Sequence, residues 1–257
     1  MKLCRFTHQA LFEPRPGIIE GDFVRPLIDG DFFSSQLQPA SDKIPLSDIK
    51  LLVPVTPSKI VCVGRNYKDH AAELGNPMPS EPLLFLKAPS AIIGSGETIR
   101  LPEDSLQVEH EGELGVVIGR TASRLGADDD PFKYVLGYTC VNDVTARDLQ
   151  RKDVQFTRAK SFDTFCPVGP FIVTEINPMD LLVTTRVNTI IKQQARTSAM
   201  AFSVPFLLRY ISRAMTLNPG DLIATGTPAG VSSLNHGDLV EVEVEGIGVL
   251  QNSVEKM

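Results

Sequence analysis

The chain has 257 residues, a formal net charge of −6, and 42% hydrophobic and 22% charged residues, which is ordinary for a globular protein. This length allows one large domain with at most a small appendage. The acidic balance disfavours nucleic acid and anionic membranes as partners, because both attract clustered Lys and Arg. No apolar run reaches the roughly 18 residues of a membrane span, and no signal segment is visible, so we expect a cytoplasmic protein.

Residues 1–57 differ in pattern from the rest of the chain. Short β-like runs at Leu3–Phe6 and Phe23–Ile28 alternate with turn signals, and the proline-rich stretch 39–57 is typical of a connection. We predict a small N-terminal β subdomain over residues 1–57 and one larger domain over residues 58–257.

The larger domain is predicted to consist mainly of short strands. In chain order these are Lys59–Gly64, Leu83–Lys87, Val108–Ile118, Val135–Asn142, Gly169–Thr174, Leu181–Val187, Leu222–Thr225 and Leu239–Val244. A short helix is expected after Asn66 as its N-cap, with Gly75 as its left-handed stop, and a longer one over Val204–Met215. Because no βαβ rhythm is present, the pattern indicates a β-rich α+β fold.

Acidic residues alternate along the segment that leads into the apolar run 114–118. Residues two apart on a strand share a face, so Glu111 and Glu113 are expected to point the same way, and Glu109 can lie beside them. Taken alone, this row more simply fits a strand that enters the core from a solvated acidic edge. Asp143, directly after the apolar strand that ends at Asn142, adds a third carboxylate. Three carboxylates without Cys or paired His favour a hard cation, Mg²⁺, Mn²⁺ or Ca²⁺, over zinc.

The carboxylate row and four further segments, in this order along the chain, resemble the fumarylacetoacetate hydrolase superfamily. The further segments are Gly64–His70 (GRNYKDH), Pro82–Lys87 (PLLFLK), Ala159–Pro167 (AKSFDTFCP) and Thr225–Val231 (TGTPAGV). The resemblance covers about residues 58–254, while residues 1–57 look like the small extra domain of members often called 2-hydroxyhepta-2,4-diene-1,7-dioate isomerases. It implies a mixed β-sandwich roll for the catalytic domain, a homodimer, and one Mg²⁺ (or Mn²⁺ or Ca²⁺) per subunit.

The resemblance also implies three groups of site residues. The metal ligands would be Glu111, Glu113 and Asp143; the catalytic residues His70, Glu73 and Lys160; and the substrate-binding residues Arg65, Arg147, Gln150 and Thr227. In two places the chain departs from the family pattern. It is shorter between Gln150 and Lys160 than the acylpyruvase-like members, and Asn188-Thr189 stands where an Asn-Gly hairpin is usual.

These residues suit chemistry on a small 2-oxo or enol carboxylic acid. A metal ion can stabilise negative charge on the 2-oxygen, and Lys160 can add positive charge there. His70 and Glu73 are three residues apart on the short helix and share a face, so they can act as an acid/base pair, although an incidental contact on an exposed helix gives the same spacing.

Several functions are compatible with such a site. The leading hypothesis is hydrolysis of a C–C bond in an acylpyruvate-type substrate; isomerisation, tautomerisation and oxaloacetate decarboxylation are the alternatives. A different class of protein, a non-catalytic β domain that binds Ca²⁺ for stability, would not need His70, Glu73 and Lys160 around one cavity.

Overall fold

The computed structural model describes residues 1–9, 11–28, 30–34 and 36–257. The N-terminal strands are β1 (Lys2–His8), β2 (Arg15–Glu20), β3 (Phe23–Pro26), β4 (Ile44–Pro45) and β5 (Ile49–Leu52). They are followed by β6 (Ile60–Gly64), β7 (Leu83–Lys87), β8 (Ile92–Ile93), β9 (Thr98–Leu101), β10 (Val108–Glu109), β11 (Gly112–Ile118), β12 (Val135–Asn142), β13 (Thr145–Ala146) and β14 (Cys166–Val173). The last strands are β15 (Leu182–Val187), β16 (Ile190–Arg196), β17 (Leu222–Ala224), β18 (Leu239–Val244) and β19 (Gly248–Lys256).

The helices within these ranges are short. They are α1 (Lys68–Glu73), α2 (Arg147–Lys152), α3 (Thr157–Lys160) and α4 (Val204–Ala214), with 3-10 turns at Leu46–Asp48, Pro89–Ala91, Pro131–Tyr134, Pro178–Asp180 and Thr197–Ala199. No helix in the described part of the chain is long and apolar enough to cross a membrane.

Twelve strands of the described residues form one large mixed sheet. Its order is β4-β3-β2-β1-β14-β12-β11-β17-β6-β7, with β5 paired to β1 and β8 paired to β14. The middle strands are buried on both faces: in β11, Leu114 and Val116 belong to one apolar cluster and Val117 to another. Burial on both faces explains why this strand is a continuous apolar run in the sequence.

A second sheet lies across one face of the large sheet. Among the described residues it has five strands in the order β16-β15-β18-β19-β9. Its strand β18 packs against β11 and β12, and its strand β19 packs against β14. Helix α4 adds Leu207, Leu208 and Ile211 to the same core. Two facing sheets with few helices form the β-rich α+β, mixed β-sandwich roll that was predicted, so the predicted fold class is confirmed.

The N-terminal strands extend the large sheet sideways. Strand β1 pairs with β14 through Lys2 and Leu3. A small separate apolar cluster is built on Cys4 and Phe6 of β1 and Val24 of β3. Residues 1–57 are therefore continuous with the main sheet through one strand pair.

One predicted strand is broken in the structure. The sequence indicated a single strand over Val108–Ile118, but β10 ends at Glu109 and β11 begins at Gly112. The cause is a change of partner: β10 pairs with β13 through Thr145, whereas β11 pairs with β12 from Asn142 onward. The acidic residue between the two strands, Glu111, therefore sits where the chain crosses from one partner to the other.

The predicted N-cap of α1 is wrong. The side-chain amide of Asn66 donates to the carbonyl oxygens of Thr225, at 2.7 Å, and Phe202, at 3.0 Å, and its oxygen accepts from the Phe202 N–H at 2.8 Å. It is thus committed to two other segments, and α1 begins after Tyr67 without a side-chain cap. The stop is as predicted, since Gly75 has φ 68°.

Asp221 joins the beginnings of the parallel strands β6 and β17. Its fully buried carboxylate accepts from the N–H and hydroxyl of Ser58, the N–H and ammonium of Lys59, and the N–H of Asn218. Burial alone would raise the pKa of Asp221, but these bonds outweigh burial and hold the pKa below its ordinary value.

We predict that Asp221→Ala lowers the free energy of unfolding by about 3 kcal/mol, because it removes a buried, multiply bonded charge. Urea denaturation at pH 7 measures this. The control is Asp129→Ala, whose carboxylate accepts a hydrogen bond from Gly126 N–H in a surface turn; its loss should stay below about 1 kcal/mol. Since the folded-state pKa lies below the unfolded one, the difference should be full above about pH 4 and shrink as the pH falls further. Equal stability of the two variants at pH 7 would contradict this role.

Candidate active site

The candidate site lies at one edge of the large sheet. Strands β6 and β17 are parallel and end together, at Gly64 and Ala224, while the antiparallel β11 begins and β12 ends at the same edge. Chain segments that follow or precede these strand ends therefore converge there. A cavity of about 200 Å³ opens at this point, room for roughly seven waters at about 30 Å³ each, which is a volume suited to a small molecule.

Three carboxylates form the floor of the cavity. Glu111 and Glu113 stand at the start of β11, and Asp143 follows β12 directly opposite, with its N–H donating to the Glu111 carbonyl at 2.8 Å. One oxygen from each carboxylate lies within 4.8 Å of the others, and all three side chains are buried. Glu109 is turned away, toward Arg147 Nε at 2.7 Å.

Three cationic side chains surround this floor. Lys160 Nζ donates to Glu111 at 2.7 Å and to Asp143 at 2.6 Å, and Lys87 Nζ donates to the other oxygen of Asp143 at 2.6 Å. Arg147 bridges Glu109 and Glu111. Each of the three cations is at most 2% exposed. Bulk water therefore cannot solvate these charges, and each depends on its carboxylate partners for compensation.

The pKa values of Glu111 and Glu113 are shifted in opposite directions. Burial alone would raise the pKa of Glu111, but Lys160 and Arg147 outweigh burial and hold the pKa below its ordinary value. Burial raises the pKa of Glu113, and the neighbouring carboxylates of Asp143 and Glu111 raise it further. Glu113 therefore gains most from an added positive charge at this point.

The donor set fits a hard divalent cation. Glu111, Glu113 and Asp143 offer oxygen ligands alone, in a group compact enough to meet on one ion, and hard cations such as Mg²⁺, Mn²⁺ or Ca²⁺ prefer oxygen. Each carboxylate is also fixed from behind: Gly226 N–H donates to Glu113 at 2.7 Å, and the lysine and arginine contacts hold the other two. Such outer contacts orient metal ligands in proteins.

Helix α1 places an imidazole on the cavity wall. His70 is buried, and its Nδ1 lies 3.2 Å from Glu73 Oε2, as the spacing of three residues predicts. Glu73 is in turn held by the Gly230 N–H, at 3.0 and 3.2 Å from its two oxygens. With Nδ1 facing a carboxylate, the N–H sits on Nδ1 and leaves Nε2 as the free nitrogen.

The loop Thr225–Gly230 contacts both the carboxylate triad and the His70–Glu73 pair. Besides the bonds from Gly226 to Glu113 and from Gly230 to Glu73, it brings Thr227 to the cavity wall. Both glycines have φ above 100°, and a Cβ on Gly230 would lie 2.0 Å from the Lys192 carbonyl oxygen. Only glycine fits such a backbone without strain.

The predicted substrate-binding residues occupy different parts of the cavity. Arg65, Arg147, Gln150 and Thr227 all line it. Arg147, however, donates hydrogen bonds to Glu109, Glu111 and Gln150. It therefore orients carboxylates of the site itself. Arg65, with φ 56°, has no hydrogen-bond or ion-pair partner among the described residues; this left-handed conformation is uncommon outside glycine and is often found at functional positions.

Sequence reasoning missed three residues of the site. Lys87 lies at the end of β7 and supports Asp143, Arg151 lines the cavity beside Gln150, and Gln193 of β16 is buried behind the 225–230 loop. A lysine that ends an otherwise apolar strand, as in Leu83–Lys87, is the one signal that could have marked any of them. Gln193 lies in a strand with no apolar alternation to single it out.

His110 supports the site from behind. Its Nδ1 lies 3.1 Å from Gln193 Oε1 and its Nε2 2.8 Å from Ser232 Oγ. Burial lowers the pKa of His110, so the ring is neutral, with one nitrogen donating and the other accepting.

Comparisons with known proteins agree with this architecture. The family model for the fumarylacetoacetate hydrolase C-terminal domain matches residues 59–255, and the model named Rv2993c-like, N-terminal, matches residues 1–54. The chain belongs to the fumarylacetoacetate hydrolase superfamily, and it is an enzyme of that family.

Three relatives whose names state an activity are similar to most or all of this chain. Oxaloacetate tautomerase YisK of Bacillus subtilis is 43% identical over 224 residues, which are 81% of this chain and 74% of that protein. The crystal structure of a 5-carboxymethyl-2-hydroxymuconate delta-isomerase from Mycobacterium smegmatis has a TM-score of 0.92 at 42% identity, with all of both chains covered. Fumarylacetoacetate hydrolase of Exiguobacterium antarcticum has a TM-score of 0.86 at 39% identity, again with both chains fully covered.

We predict that Glu113→Gln lowers Mg²⁺ affinity at least about 100-fold, because loss of a ligand should exceed the 10–100-fold cost of losing an outer contact. Glu109→Gln, the same change two residues earlier, should stay within about tenfold of the wild type, since Glu109 contacts Arg147 and not the triad. Isothermal titration calorimetry on chelator-treated protein measures both. Equal losses in the two variants would remove Glu113 from the ligand set.

Proposed function

We propose that this protein is a Mg²⁺- or Mn²⁺-dependent tautomerase of a small 2-oxo dicarboxylic acid, with oxaloacetate as the first substrate to test. The observation that carries the proposal is the placement of the His70–Glu73 pair on the wall of the same cavity whose floor is the carboxylate triad. A proton-transfer group faces a site suited to a cation, which is what enol–keto conversion needs.

The relatives support a proton-transfer reaction over hydrolysis. A tautomerase at 43% identity and an isomerase at 42% identity with full coverage both bear names for reactions that move a proton and a double bond. C–C hydrolysis, the leading hypothesis from the sequence, is the second candidate. It keeps the support of the Exiguobacterium antarcticum hydrolase, at 39% identity.

Glu111, Glu113 and Asp143 would hold the metal. When bound, the ion supplies Lewis acidity that stabilises negative charge on the 2-oxygen of the substrate. Lys160, buried beside two of these carboxylates and 5.0 Å from the Phe85 ring centroid, adds a fixed positive charge at the same place. Its charge is secure, because Asp143 and Glu111 outweigh the effect of burial and raise the pKa of Lys160.

His70 is the group that moves the proton. In the enol-to-keto direction the 2-hydroxyl oxygen loses its proton and carbon 3 gains one, while the C2–C3 double bond becomes single and the C2–O bond becomes double. The reaction consumes no water, oxidant or reductant. Glu73 holds the Nδ1–H of His70, so Nε2 can accept one proton and return another without a change of ring orientation.

Charge at the rim suits a second carboxylate on the substrate. Arg65, without a partner among the described residues, and the exposed Arg151 both line the cavity beyond Lys160. A substrate carboxylate at either guanidinium would form a charge-assisted pair. We therefore expect dicarboxylates to be preferred over 2-oxo monocarboxylates.

The homodimer and the cytoplasmic location stay predictions from the sequence.

We predict that the wild type accelerates decay of the enol absorbance of oxaloacetate in the presence of Mg²⁺, and that His70→Ala loses at least about 100-fold in kcat. Mg²⁺ affinity should stay about the same. His236→Ala, the same change at an exposed histidine outside the cavity, is the matched control and should keep wild-type activity.

The same preparations should be assayed for acetylpyruvate hydrolysis and for CO₂ release from oxaloacetate. Wild-type hydrolysis without tautomerisation would replace the proposal by the hydrolase candidate. Tautomerisation that survives in His70→Ala at more than about a tenth of the wild-type rate would exclude His70 as the proton-transfer group.

A further inference from the structure

Strand β16 is an exposed edge strand with one buried polar side chain. Five of its seven residues are exposed, whereas Gln193 in the middle is 1% exposed. A buried amide is costly unless all of its polar atoms are bonded. What the amide bonds to therefore indicates why it is buried.

Gln193 uses its whole hydrogen-bonding capacity on elements of the active site. Its oxygen accepts from the Gly112 N–H at 3.0 Å and from His110 Nδ1 at 3.1 Å. Its nitrogen donates to Thr227 Oγ1 and to the Pro228 carbonyl oxygen, both at 2.7 Å. The orientation of the amide is unambiguous, because a backbone N–H can only donate and a carbonyl oxygen can only accept.

The two sets of partners belong to different parts of the site. Gly112 lies between the carboxylates of Glu111 and Glu113, whereas Thr227 and Pro228 belong to the 225–230 loop on the cavity wall. Thr227 Oγ1 also donates to the Gly112 carbonyl oxygen at 2.9 Å. With one lone pair filled by Gln193 and its proton on Gly112, the Thr227 hydroxyl is held in one rotation and keeps a single lone pair for a ligand.

We propose that Gln193 is a positioning residue that locks the 225–230 loop to the carboxylate strand and so fixes Thr227 relative to the triad. Gln193 is not itself one of the residues that line the cavity, and acts through its bonds to Thr227, Gly112 and Pro228. The activity arm of its test rests on the proposed tautomerase function; the metal-binding arm does not.

The first test compares Gln193→Glu with Gln194→Glu. The first variant keeps the shape of the side chain but replaces the two N–H donors to Thr227 and Pro228 with a carboxyl oxygen, which carries at most one proton. The second makes the same change at the next, exposed position. We expect kcat/KM for oxaloacetate to fall at least about tenfold in Gln193→Glu and to stay within about twofold of wild type in Gln194→Glu, at a temperature where circular dichroism shows both folded.

A double-mutant cycle separates positioning from a purely structural role. Thr227→Val removes the same hydrogen bond without touching β16, and remains informative if Gln193→Glu fails to fold. Gln193→Leu should reduce log(kcat/KM) less than half as much in the Thr227→Val protein as in the wild type. Full additivity, or equal activity of Gln193→Glu and Gln194→Glu, would overturn the proposal.

Mg²⁺ titration distinguishes failure of this proposal from failure of the proposed function. If the wild type does not tautomerise oxaloacetate, the function fails, and calorimetric Mg²⁺ affinity decides the role of Gln193 alone. We expect a Kd at least about tenfold higher in Gln193→Glu than in Gln194→Glu. Gln193 holds both Gly112, which lies between two of the ligands, and the loop whose Gly226 N–H donates to Glu113, so its loss should disturb the ligand positions. Equal Kd values would show that Gln193 positions nothing at the triad.

Discussion

The structure is organised around three carboxylates buried within a few ångströms of one another. Such a group is unstable by itself, because each charge loses water and faces two like charges. Two lysines and an arginine, all nearly inaccessible to water, stand against Glu111 and Asp143. Among the described residues, Glu113 accepts a hydrogen bond only from a backbone N–H, and its pKa is raised. Cationic side chains therefore compensate Glu111 and Asp143 but not Glu113, and a divalent cation would supply the missing positive charge.

The sheet topology makes this concentration of charge possible. The triad comes from adjacent antiparallel strands, where the start of β11 meets the end of β12, so main-chain pairing fixes the spacing of Glu111, Glu113 and Asp143. The parallel pair β6 and β17 delivers helix α1 and the 225–230 loop to the same edge. His70, Glu73, the 225–230 loop and the triad thus share one support, which suits a reaction that depends on fixed distances.

Local patterns in the sequence predicted much of this and failed where distant segments decide the outcome. The i,i+2 spacing of Glu111 and Glu113, a carboxylate after an apolar strand, and the i,i+3 pair His70 and Glu73 are local signals, and the structure brings these side chains around one cavity. Asn66 has the residue type of an N-cap, yet partners 136 and 159 residues away hold its amide instead.

The break between β10 and β11 and the burial of Gln193 have the same origin. The break arises because Glu109 pairs with β13, a strand that follows β12 in the sequence. Gln193 is buried because its amide is hydrogen-bonded to residues more than 30 positions away on either side in the sequence, Gly112 and Thr227. No periodicity carries that information, since it depends on which strands meet at one sheet edge.

The position of a bound divalent ion is the most direct test of this site. Crystals soaked in Mn²⁺ and measured at the manganese absorption edge would locate the ion by its anomalous scattering. We expect one strong peak per chain, about 2.0–2.3 Å from one oxygen each of Glu111, Glu113 and Asp143, with Glu109 still paired to Arg147. A peak at another group of residues, or no peak between these three carboxylates at saturating Mn²⁺, would contradict it.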